Sequence, residues 1–367
     1  MKIETMIYIY GAICLCMITF NILYSLLLRR SQPRLEKRCQ KLQILIDRQL
    51  AEIRAGRAVD PRHLDDLCRR LRHISNLIAF DRILRPVFAQ KHNPTGEAYL
   101  RQIQPAVLYL AALYQKRENM QAAYFSYFLS QYAVKRQAPV DTMQELLLGY
   151  VQKQNLYCRI QALQALCACG NVDYMIKALA LQDDDAVFLH EKILTEGLLS
   201  FTGDADALIR RLWETFDTFS EHTQLAVLNY IRFKTGGCEK EMLALMQDPA
   251  RGKELRLAAI RYFGRYPYAP ALQPLLSFAA DPDPTQWEYT TVSVSALARY
   301  PEPAVQQVLK EALHNANWYV RYAAANSLEA QQADYADMMD VLAGNDRYAR
   351  EMLSYRLEAR KLKKAGV

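Results

Sequence analysis

The side chains able to do chemistry are few, and their spacing builds no site. Six histidines stand at 63, 73, 92, 190, 222 and 314, and His190-Glu191 is the only His-Glu pair among them. A metal centre needs several imidazole or carboxylate ligands converging on one point. The eight cysteines, at 14, 16, 39, 68, 158, 167, 169 and 238, make neither a CxxC nor a repeated spacing. They read as small apolar residues of a reducing compartment. Asp183-Asp184-Asp185 precedes a helical stretch, where carboxylates cap free N–H groups and suit the helix dipole. No P-loop, GxSxG, HExxH, GxGxxG or EF-hand spacing occurs. The expectation is no catalytic residue, no cofactor site and no metal site, and a chain that is not an enzyme.

The elements that would position any site are helical. Only 13 of 367 residues are glycine, about half the average usage, which argues against doubly wound α/β folds and turn-rich β folds. Residues 6–28 contain no charged side chain; at about 1.5 Å per residue they make roughly 34 Å of helix, enough for a hydrocarbon core of about 30 Å. Tyr8, Tyr10 and Tyr24 flank the run, as interfacial aromatics do. A cleaved signal peptide would want a basic start, a shorter core and a small-x-small cleavage site; here the run ends in three leucines and two arginines.

Charge sets the orientation. The formal net charge is +7, yet residues 29–100 alone hold 16 Lys and Arg against 8 Asp and Glu, and residues 101–367 are net minus one. Arg29, Arg30, Arg34, Lys37, Arg38 and Lys41 follow the apolar run, with only Lys2 before it. The positive-inside bias then predicts an inner-membrane, single-pass protein with its N-terminus out and its body cytoplasmic. The same six basic residues are expected to meet anionic lipid headgroups. The near-neutral body predicts no nucleic acid partner, because polynucleotide binding wants an excess of Lys and Arg. Beyond Pro33, Leu35, Cys39, Leu42, Ile46, Leu50 and Ile53 form one apolar seam on a basic helix. The predicted organisation is an external end at 1–5, a transmembrane helix at 6–28, a basic juxtamembrane region at 29–94 and a helical body at 95–367.

That body repeats. NWYVRYAAANSL at 317–328 aligns with NLYCRIQALQAL at 155–166, pairing Asn317 with Asn155 and Arg321 with Arg159. KELRLAAIRYF supplies Arg256, QWEYTTVSVSAL sets Trp287 on Trp318, and DRYAREMLSYRL supplies Arg350. With weaker copies at Glu191 and Gln224, the aligned positions are 159, 191, 224, 256, 290, 321 and 350. A period near 32 with two helices per unit predicts an all-α fold, an α-solenoid in which each pair buries its stripe on its neighbours. Asn155, Arg159, Arg256, Trp287, Asn317, Trp318, Arg321 and Arg350 are assigned to repeat structure: the asparagines as caps, the arginines as links to the adjacent repeat.

An Asp or Asn opening the second helix, an Arg in its first turn and alanines after it resemble the HEAT family, in particular the short bacterial HEAT-like repeats first associated with phycobilisome lyases. Glu191, Gln224 and Thr290 depart from that pattern at the Arg position. The resemblance covers about residues 140–360 and implies a scaffold binding protein partners in its groove. It also raises alternatives: an enzyme of the bilin lyase or isomerase type, or a nucleic-acid-binding HEAT-like protein. The deoxyhypusine hydroxylase type has a similar architecture but carries repeated His-Glu pairs, and this chain has one. The anchored layout is similar to accessory proteins beside membrane glycosyltransferases of envelope polysaccharide systems, which implies a membrane-associated partner. The 23 tyrosines, in clusters such as Tyr124 with Tyr127 and Tyr132, or Tyr262 with Tyr266 and Tyr268, are expected to divide between core and groove.

Overall fold

The computed structural model describes residues 3–89, 93–117, 119–133, 141–183, 189–333 and 336–364, and no strand occurs among them. The chain divides into two compact units, Met1–Val187 with Ser200–Ala205, and Phe188–Leu199 with Asp206–Val367.

The first unit opens with α1 (Ile3–Arg54), one uninterrupted helix with Pro33 inside it. None of the window Tyr8–Ser25 is buried, and its length and mean hydropathy of 1.5 suffice to cross a membrane. The later half of the same helix is amphipathic. Leu42, Ile46 and Leu50 are buried and pack where α1 meets α3 (Ile74–Phe88) and α4 (Pro94–Gln102), each contributing about 2 kcal/mol. The seam predicted at 35–53 is thus used inside the protein. Between α1 and α3 lies α2 (Pro61–Arg70), started by Pro61 and by the Asp60 side chain, which accepts the Arg62 N–H at 2.9 Å.

The unit continues through α5 (Gln104–Gln115), α6 (Asn119–Phe128), α7 (Asp141–Val151), α8 (Leu156–Cys169) and α9 (Val172–Gln182). Here α2 packs on α5, α5 on α7, α7 on α9, and α6 on α8. The boundary expected near residue 94 therefore lies within one packed unit. A glycine ends α8: Gly170 has φ +72°, and a Cβ on Gly203 would lie 2.1 Å from the Gly170 carbonyl oxygen.

The second unit holds α10 (Glu191–Leu199), α11 (Ala205–Glu214), α12 (Glu221–Lys234), α13 (Glu239–Gln247), α14 (Lys253–Phe263), α15 (Leu272–Ala279), α16 (Trp287–Leu297), α17 (Pro303–Ala312), α18 (Trp318–Ala330), α19 (Met339–Leu342) and α20 (Arg347–Lys364). The even-numbered helices stack in sequence from α10 to α20, while α13, α15, α17 and α19 each pack on the helix that follows. This is the helix-pair stacking that the period near 32 predicted. Buried alanines at 226, 259, 296 and 324 let the stacked helices approach closely.

Tyrosine serves the stacking too. The Tyr114 hydroxyl donates to the Leu71 carbonyl at 2.7 Å and that of Tyr150 to Ala111 at 2.6 Å, both in the first unit. In the second, the Tyr262 and Tyr300 hydroxyls accept the Cys238 and Tyr268 N–H groups at 3.0 and 3.1 Å. A phenylalanine at any of these four positions would remove a buried link between neighbouring elements.

Candidate binding clefts

The repeat positions all fall on the stacking helices, with Arg159 on α8, Arg256 on α14, Arg321 on α18 and Arg350 on α20. Arg256 Nε donates to the Met246 carbonyl at 3.1 Å, and Arg350 Nη1 to the Gly344 carbonyl at 2.7 Å. Gln224, at the same position, donates to the Phe216 carbonyl at 2.9 Å. Arg321 bonds the Asn315 carbonyl and forms an ion pair with Asp346 at 3.0 Å, and Arg159 Nη1 reaches Gln182 Oε1 at 3.4 Å. Arg256, Arg321, Arg350 and Gln224 each hold a backbone carbonyl at or near the end of a preceding element, whereas Arg159 meets a side chain. Reach to the next pair is clearest at Arg321 and at Arg256, whose guanidinium lies 5.0 Å from the Tyr289 ring centre. Asn155 accepts the Cys158 N–H at 3.1 Å and Asn317 the Tyr319 N–H at 2.8 Å, as caps do. The Trp287 ring stacks on Tyr319 at 5.5 Å, and that of Trp318 on Tyr322 at 5.0 Å.

Along α1, Arg34, Lys37, Arg38 and Lys41 are exposed; the side chains of Arg29 and Arg30 lie outside the described residues. So do Asp184 and Asp185 of the acidic triplet, and His92. The His190 and His222 rings meet edge to face at 6.5 Å. Among the described residues no three His, Cys, Asp or Glu side chains gather as ion ligands would.

Two clefts open on the second unit. The larger, about 790 Å³, lies across α12, α14 and α16 and is lined by Arg232, Phe233, Arg261, Arg265, Tyr266 and Arg299, among others. Its floor is a close approach of helices: a Cβ on Gly264 would lie 3.2 Å from the Ala296 Cα. The Arg232 guanidinium sits over the Phe233 ring at 4.8 Å, and that of Arg265 lies 5.6 Å from Phe233 and 5.7 Å from Tyr266. Burial, and then the neighbouring charges of Arg261 and Arg265, push the Arg232 pKa below its ordinary value. No carboxylate among the described residues pairs with any of the four cleft arginines. Elsewhere in the unit Arg211, Arg251, Arg321, Arg347 and Arg356 all have acidic partners.

Charge counting over the whole body hid this cleft. The signal that finds it is the repeat register: Arg261 and Ser295 stand five residues after positions 256 and 290, and Phe233, Arg265 and Arg299 nine after 224, 256 and 290. Offsets of five and nine are four apart and share a helix face.

The second cleft, about 580 Å³, lies between α18 and α20, with Trp318, Tyr322, Tyr348, Met352, Tyr355 and Arg356 in its lining. Trp318, Tyr348 and Tyr355 are 55%, 71% and 68% exposed. The Arg356 guanidinium covers the Tyr322 ring at 4.7 Å. A hydrogen bond from Asn326, then Arg356, holds the Tyr322 phenol below its usual pKa. By contrast Phe125, Phe128, Tyr132, Tyr262 and Phe263 are core, while Tyr124, Tyr127 and Tyr268 are half-buried and Tyr266 lines the arginine cleft.

Residues 239–329, from α13 to α18, match the family model of HEAT repeats. No curated protein matches the chain.

Proposed function

We propose that this chain, a HEAT-repeat protein by its stretch 239–329, is a membrane-anchored scaffold that binds protein partners and catalyses no reaction of its own. The observation that carries the reading is the continuity of α1. Its apolar half is wholly unburied, and the same helix then inserts Leu42, Ile46 and Leu50 into the first unit. An anchor built into a repeat domain without a loop restricts that domain to the membrane surface and raises its effective concentration towards membrane partners. The charge bias supports a cytoplasmic side at an inner membrane for residues after 28, with Arg34, Lys37, Arg38 and Lys41 near anionic headgroups.

The exposed aromatics of the α18–α20 cleft support protein binding, since Trp, Tyr and Arg dominate interface energetics. The layout makes a membrane glycosyltransferase of an envelope polysaccharide system the first partner to seek. The test is affinity capture of the full chain in mild detergent followed by mass spectrometry, with the anchor helix alone as control. Recovery of a membrane enzyme above that control supports the scaffold; recovery of none overturns it. Purified protein carrying stoichiometric iron or a tetrapyrrole would instead favour the enzymatic alternative.

A further inference from the structure

We propose that the arginine cleft across α12, α14 and α16 holds an extended acidic segment of a protein partner, with its carboxylates received by Arg232, Arg261, Arg265 and Arg299. The inference rests on the scaffold reading and gives its partner a chemistry.

Three of the arginines stand in repeat register, Arg261 five and Arg265 and Arg299 nine residues past the aligned positions, and Arg232 immediately precedes the matching Phe233. Two stand on α12 and α14, Arg265 just past the end of α14, and Arg299 just past the end of α16. Four guanidinium groups brought into one cleft repel one another, and no carboxylate among the described residues pairs with them. Aromatic rings hold two of them instead: Arg232 and Arg265 share Phe233. A guanidinium stacked on a ring keeps its in-plane N–H donors available, and those donors match a carboxylate fork. The partly buried position of Arg232 strengthens any ion pair formed there relative to one in open water. Burial first, and then the charges of Arg261 and Arg265, lower the Arg232 pKa.

Spacing favours a peptide. Stacked helices lie about 8–10 Å apart, and alternate side chains of an extended chain lie about 7 Å apart on one face. Carboxylates at every second residue therefore keep rough step with arginines supplied by successive repeats. Polynucleotide is the weaker fit, because residues 101–367 are net minus one and four arginines form a spot rather than a track along a phosphate backbone. The cleft volume of about 790 Å³ suits a short segment with the rest of the partner outside.

The experiment uses the full chain in detergent micelles and fluorescence anisotropy with a labelled twelve-residue peptide alternating Glu and Ser. Its Gln-for-Glu counterpart and a twelve-nucleotide single-stranded DNA are the comparison probes. The wild type is expected to prefer the Glu peptide at least tenfold over the Gln peptide, with affinity falling as salt rises. Arg265→Gln with Arg299→Gln should weaken Glu-peptide binding about tenfold or more, while Arg211→Gln, on α11, leaves it unchanged. Because both substituted side chains are exposed, the thermal transition should not move, and Arg265→Lys with Arg299→Lys should recover part of the binding. Equal affinity for the two peptides, indifference to the double Gln variant, or tighter binding of the DNA would each overturn the proposal. If the double Gln variant loses peptide binding while affinity capture from the membrane fails even for the wild type, the cleft assignment stands and the scaffold reading falls. If capture succeeds and the peptide is ignored, the reverse holds.

Discussion

Asp81 is 1% exposed on α3 and keeps three partners: Arg85 at 2.7 Å and the Tyr124 and Tyr132 hydroxyls at 2.9 and 2.8 Å. Arg85, well exposed, is held above its ordinary pKa first by its hydrogen bond to Asp81. Because the two tyrosines lie some forty to fifty residues further along, the carboxylate ties α3 to the end of α6 and the π turn at Leu129–Ala133. Asp81→Ala strands these donors and should lower stability by about 2–3 kcal/mol, measurable as a reduced midpoint in denaturant melts. Asp346 is a different case, at the surface. The Ala349 N–H, then His314 and Arg321, hold its carboxyl well below the usual carboxylate range. Unfolded, it titrates near 4, so its stabilising contribution is complete above that value and is lost as pH falls through the folded value. Asp346→Asn keeps a capping oxygen while removing the charge. The melting-temperature gap between wild type and variant should be widest near neutral pH and should close progressively below about pH 4.

Among the elements, the end of α8 is a tight point of backbone against backbone, since Gly170 turns left-handed and Gly203 lies against its carbonyl. Gly203→Ala forces that backbone apart and should cost about 1–3 kcal/mol, read as a lowered melting temperature with the helical circular dichroism signal retained. The repeat helices were legible in sequence because a stacking helix must keep small residues at the same register in successive repeats, as Ala162, Ala259 and Ala324 do, each three residues past its arginine. The unbroken course of α1 was not. Pro33 removes a backbone donor and normally ends a helix, but the freed carbonyl is that of residue 29, just past the end of the apolar run. There a backbone oxygen has other donors available. The arginine cleft was hidden for another reason: each of its residues looks like an ordinary solvated surface arginine until three helices are superposed in repeat register.

On the scale of the whole molecule, charge acts locally in two places, and the net value of +7 describes neither. Residues 29–100 hold the excess, while the later residues cancel to minus one and still gather four arginines in one cleft. The first concentration fixes topology in the proposed function. Translocation opposes moving Lys and Arg close to the end of an apolar helix, and here six of them follow the span with one before it. A cytoplasm-active reporter fused after Val367 should therefore work, and a periplasm-active one in the same place should stay silent. Replacing Arg29, Arg30, Arg34, Lys37, Arg38 and Lys41 with Gln, and adding three Lys after Met1, reverses the bias. A substantial fraction of molecules should then invert and the two reporter signals should change in opposite directions. Arg34, Lys37, Arg38 and Lys41 are exposed, and Leu42, Ile46 and Leu50 still seat α1 on α3 and α4. Loss of reporter signal without inversion would mean that the packed unit, rather than the charge flanking the span, dictates the side on which the chain folds.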